Sequence, residues 1–74
     1  MSRLPSLNWQ RVTIALERAG FIFDRQRGSH IVYYHSETNR TVVIPRHREI
    51  KMGTLREILR EANLTREEFR KLLE

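Results

Sequence analysis

In the run RQRGSHIVYYH, Arg25 to His35, a histidine follows a glycine and a serine. Two arginines stand before it and β-forming residues follow. These types suit work on a phosphodiester. An imidazole exchanges a proton near neutral pH, with an unperturbed pKa of about 6.5. Arginine carries a planar fork of donors that matches phosphate oxygens. Gly28 permits a tight turn and close approach of a bulky ligand to the backbone. Ser29 adds a hydroxyl, and the amides of such a turn can receive an anion. RNA brings its own nucleophile, the 2′-hydroxyl beside each phosphodiester. Its cleavage needs chiefly a proton acceptor or donor and a means of holding the added negative charge. His30 is therefore the candidate catalytic residue. Arg25, Arg27, Arg46 and Lys51 are candidate phosphate contacts, and Gly28, Ser29 and His47 complete the RNA-facing set.

The other histidines are less well placed. His35 lies five residues after His30, so strand alternation sends it to the opposite face. His47 follows Pro45-Arg46 at the exit of a strand, where it lies near the first strand turn or caps the loop. No spacing brings three histidines together and there is no cysteine, so neither a metal site nor a cofactor is expected. Tyr33 and Tyr34 point to opposite faces. One packs and the other is left to stack on a base or a partner, and the sequence does not say which. Ile31 and Val32 make both faces of that strand apolar, which calls for cover on the second side by another protein.

These residues need elements to hold them. Asn8 is an N-cap, and Trp9, Val12, Leu16 and Ala19 mark one face of a helix over residues 9–19, stopped by Gly20. Phe21 begins a strand that runs to Arg27. Gly28-Ser29 is a turn, Ile31 to Tyr34 a second strand, Ser36 to Asn39 a turn, and Thr41 to Ile44 a third strand closed by Pro45. Short turns make this an antiparallel meander. A basic loop over 46–53 leads to a helix announced by a capping box, Thr54 to Glu57. Leu55, Ile58, Leu59 and Ala62 form its apolar face, and Asn63 ends it. Thr65 to Glu68 repeats the capping box, and Phe69, Leu72 and Leu73 bury a short last helix. The order α-β-β-β-α, with an extra C-terminal helix, predicts an α+β fold: a three-stranded antiparallel sheet with helices on one face. It is the layout of double-stranded-RNA-binding domains.

Bulk properties agree. The 74 residues make one domain, 1–74, with a modest core and a loosely held arm over residues 1–7. Twelve of the 14 cations are arginine, and the net charge is +5. The segment Arg25 to Lys51 holds six cations, two acids and all three histidines, which concentrates +4 of that charge around the sheet and its following loop. Such a cluster favours a polyanion such as nucleic acid. No apolar run approaches the ~20 residues of a membrane span, and no apolar leader is present, so a cytoplasmic chain without membrane contact is expected.

Four segments carry a resemblance: LERAGF (16–21), RQRGSH (25–30), VVIPRH (42–47) and KMGTLREILREANLTREEF (51–69). Together they resemble the HicA toxins of bacterial and archaeal HicBA toxin–antitoxin pairs, over nearly the whole chain from Asn8. The resemblance implies a toxin with the double-stranded-RNA-binding-domain fold that cleaves messenger RNA without a metal and stops growth. It implies a HicB-type antitoxin that covers the histidine, and it carries the family's catalytic histidine onto His30. Many members have a second histidine directly after the first, where this chain has Ile31, and Asn63 stands where glycine is commoner. Two other readings share the fold: a non-catalytic RNA-binding module, and a protein-interaction subunit. The free chain is expected to be a monomer.

Overall fold

The computed structural model of the chain describes residues 7–74. Of the arm expected over residues 1–7, residues 1–6 lie outside the described residues. Leu7 is not loose: it is buried, and its carbonyl accepts the amide of Ile50 at 2.6 Å. That bridge ties the start of the chain to the loop after the sheet.

Helix α1 spans Trp9–Arg18. The Asn8 side chain accepts the Arg11 amide at 2.9 Å, closing one of the open donors of the first turn. Val12, Ala15 and Leu16 face inward, as the spacing predicts. Gly20, at φ +102°, turns the chain out of the helix, a conformation that costs a residue with a Cβ.

Strands β1 (Ile22–Arg27), β2 (His30–His35) and β3 (Arg40–Pro45) follow as an antiparallel meander in the order β1-β2-β3. Phe21 belongs to the connection rather than to β1, and is buried there. Helix α2 spans Met52–Ala62 and begins two residues before Thr54. The capping box expected at Thr54 is therefore not formed. Lys51 takes the cap position without a side-chain bond, and Glu57 pairs with Arg60 instead. Ile50, buried against Leu7, sets this early start by bringing the chain to the core just ahead of Met52. Asn63 ends α2 in the left-handed conformation, at φ +58°. The second capping box does form. Thr65 and Glu68 exchange bonds at 3.0 and 2.8 Å at the head of α3, Arg66–Leu73.

All three helices supply one core. Phe69, Leu16, Leu55, Ile58 and Val12 meet the sheet residues Ile31, Tyr33, Val42 and Ile44. Among the described residues, helices cover one face of the sheet and none covers the other. The layout is the expected α+β arrangement.

Candidate functional site

The β1–β2 hairpin determines where His30 sits. Gly28 and Ser29 form its two-residue loop, with a positive φ of 60° only at Gly28, the pattern of a type II′ turn. Such a short loop fixes the register, and Arg27 pairs with His30. Counting back from the turn, Gln26 pairs with Ile31 and Arg25 with Val32. Paired residues share a face of the sheet. Ile31 belongs to the core, so Arg25, Arg27, His30 and Val32 lie on the opposite, open face.

A bulge interrupts β1 between Phe23 and Arg25, and Asp24 is the extra residue. In an unbroken ladder Asp24 would stand beside Tyr33 on the helix side. The bulge returns Phe23 to that place, where its ring meets Tyr33 edge-on at 6.0 Å. The carboxylate of Asp24 instead pairs with the Arg25 guanidinium. Arg25 thus shares the face of His30, with its charge partly neutralised by its neighbour. Among the described residues no carboxylate pairs with Arg27 or Arg46.

The third strand closes the other side. Pro45 pairs with His30, so the imidazole at the start of β2 stands between Arg27 and Pro45, exposed to solvent. Beyond Pro45 the chain is held tightly. The Arg46 amide donates to the Ser29 carbonyl at 2.7 Å, joining the loop to the turn that carries His30. The Trp9 amide donates to the His47 carbonyl at 3.1 Å, which docks the head of α1 on the same loop. The Arg46 guanidinium lies over the Trp9 ring, 4.9 Å from its centroid. His47 is exposed, with its backbone engaged as a loop and helix anchor. Lys51 is exposed at the head of α2.

The structure therefore gathers Gly28, Ser29, His30, Arg27, Arg46 and His47 at one end of the sheet, with Arg25 one pair further along the open face. His35 is at the far end and on the helix side, as its spacing requires. Its ring meets Phe21 edge-on at 5.0 Å, and its Nδ1 accepts the Glu37 amide at 3.3 Å. Phe21, His35, Arg40 and Leu64 line part of a cleft of about 180 Å³ there, below the ~300 Å³ at which ligand pockets usually begin. Tyr33 is the tyrosine that packs. Its hydroxyl donates to Glu17 at 2.7 Å, and burial with that bond pushes its pKa up to about 12. Tyr34 is half-buried on the open face and donates to Asn39. Val32 needs no second chain for its cover: between Arg25 and Val43 it is already only 5% exposed. Two features escaped the sequence. The bulge at Asp24 depends on register, and the Trp9–Arg46 contact joins residues that are distant along the chain.

Among the described residues no helix is long and apolar enough to cross a membrane. Comparison with curated proteins gives no match for the chain. A family model described as the HicA toxin of bacterial toxin–antitoxin systems matches residues 9–64, which takes in α1, the whole sheet and α2. With this match over three quarters of its length, the chain belongs to the HicA toxin family.

Proposed function

We propose that this HicA-family toxin is a metal-independent endoribonuclease acting on messenger RNA, with His30 as its general acid or base. The observation that carries this reading is the setting of His30. It is solvent-exposed, at a fixed hairpin turn, beside Arg27 and next to a loop that presents Arg46. The 2′-hydroxyl of the substrate attacks the adjacent phosphorus, and the bond to the 5′ oxygen of the next nucleotide breaks. One proton leaves the 2′-oxygen and one reaches the departing 5′-oxygen, and the imidazole serves one of these transfers. The products are a 2′,3′-cyclic phosphate and a 5′-hydroxyl. Arg27, Arg46 and Lys51, with Arg25 in a weaker place beside Asp24, hold the phosphate charge that grows in the transition state. Gly28 and Ser29 let the strand approach the backbone, and His47 borders the same end of the sheet. A resident metal ion has no required step in this chemistry, because the substrate supplies the nucleophile. Such a protein works where messenger RNA is, in the cytoplasm.

A HicB-type antitoxin covers the open face of the sheet in this reading. Ile22, at 59% exposure, and Val43, at 38%, flank His30's strand on that face, and a partner laid along the whole face would bury both together with the imidazole. The test is induction of the chain alone in cells. The proposed enzyme arrests growth while full-length transcripts fall, and His30→Ala abolishes both effects with the fold retained. Growth arrest with transcripts intact would favour the protein-interaction reading, and purified chain that binds RNA but leaves it whole would favour the non-catalytic one.

A further inference from the structure

We infer that Trp9 and Arg46 form a prebuilt phosphate-receiving unit, in which the indole holds the guanidinium in place for an RNA phosphate. The inference rests on the RNA-cleaving reading above and deepens it. Arg46 is constrained from two sides. Its amide is bonded to the Ser29 carbonyl at 2.7 Å, beside His30, and its guanidinium lies 4.9 Å from the centre of the Trp9 ring. Trp9 is constrained in turn. It packs partly against the core, and its amide is bonded to the His47 carbonyl at 3.1 Å.

The stack uses the face of the guanidinium and leaves its edge, where the N–H donors lie, for another acceptor. Other arginines are differently employed. Arg18 and Arg40 donate to the carbonyls of Leu72 and Glu61, and Arg25, Arg60 and Arg70 pair with carboxylates. Arg46 is held by an aromatic ring that satisfies none of its donors. A ring in that role removes rotamer freedom without cancelling charge, so less entropy is lost when an anion binds. Trp9 is therefore a positioning residue, and Arg46 the group that touches substrate.

Binding of single-stranded RNA tests this, measured across a salt series on a chain carrying His30→Ala so that the RNA stays whole. Trp9 is the single tryptophan, so its fluorescence reports occupancy in chains that keep it, and the anisotropy of end-labelled RNA reads binding by every variant. RNA is expected to change that fluorescence. Arg46→Gln should weaken binding about tenfold and reduce the slope of log affinity against log salt by about 0.7, the share of one phosphate on a single strand. Trp9→Leu should weaken binding about threefold, the size of a lost exposed cation–π contact, and should add little on top of Arg46→Gln. Trp9→Phe keeps an aromatic face and should restore most of the loss. Far-ultraviolet circular dichroism checks each fold, and should Trp9→Leu unfold, Arg46→Gln and Trp9→Phe still decide. Unchanged affinity and slope in Arg46→Gln would overturn the inference. So would losses from Trp9→Leu and Arg46→Gln that simply add, or a loss confined to antitoxin binding with RNA affinity intact. In all three cases RNA cleavage by the unsubstituted chain would leave the nuclease reading standing. A parent chain that neither binds nor cuts RNA would sink both.

Discussion

At the residue scale, the two prominent titratable side chains of β2 have opposite surroundings. His30 is exposed to solvent, whereas Tyr33, three residues on, is buried against Glu17. Burial favours the protonated Tyr33 hydroxyl, and ionisation would also put a phenolate beside the Glu17 carboxylate. Its pKa of about 12 lies above the ordinary 10.0. A folded-state pKa above the unfolded one gives stability that is complete below pH 10 and lost as pH rises through 12. Solvent screening around the hydroxyl keeps the loss below the ~1.4 kcal/mol per unit of an unscreened group. Alkaline unfolding followed by circular dichroism should start in that window, and Tyr33→Phe should remove this component. Identical alkaline curves for the two chains would contradict the assignment. His30's exposure was legible in the sequence because Gly-Ser before a run of β-formers marks a hairpin loop, and loops face solvent. Which tyrosine packs was not legible, since adjacent strand residues of one type give no parity.

At the element scale, two glycines with positive φ separate local strain from collision. A Cβ at Gly28 would meet nothing within 4 Å, so Gly28→Ala carries only conformational strain, about 1–2 kcal/mol. A Cβ at Gly20 would fall 2.6 Å from Nε2 of His35, so Gly20→Ala adds displacement of a packed ring to a φ of +102°. Thermal melting should rank Gly20→Ala as the more damaging, and the reverse order would mean that the ring moves aside freely. The capping boxes make a similar pair. Thr65 and Glu68 realise theirs, while Thr54 and Glu57, with the same spacing, lie inside α2. Spacing states what a side chain can bond, but the start of a helix also depends on where the chain first reaches the core. Ile50 and Met52 make that contact ahead of Thr54. The bulge at Asp24 was hidden for the same reason, since it reconciles a register set by the turn with an aromatic contact set by Tyr33.

At the scale of the whole molecule, extents of 34 × 26 × 19 Å allow one layer of sheet and one of helices. Among the described residues the core forms one cluster, and Phe69 from α3 is fully buried in it together with Leu16, Ile44 and Ile58. Phe69→Ala should cost about 3–5 kcal/mol, seen as a lower denaturant midpoint. An unchanged midpoint would mean that α3 is dispensable to the core. Fold class was readable because apolar periodicity, caps and turn residues agree along most of the chain. The assembly of the site was only partly readable. Charge and the Gly-Ser-His triplet singled out the end of the sheet where Arg27 pairs with His30 and the Arg46 amide bonds Ser29. The bonds Arg46 to Ser29 and Trp9 to His47, which join α1, β2 and the third strand's exit, exist only in three dimensions.

Proton transfer by His30 is tested by cleavage of single-stranded RNA by the purified chain in a chelating buffer, with the new ends identified chemically. The parent should yield 2′,3′-cyclic phosphate and 5′-hydroxyl ends, and His30→Ala, folded as judged by circular dichroism, should lose at least about a hundredfold in rate. Cleavage at the parent's rate by His30→Ala would contradict it.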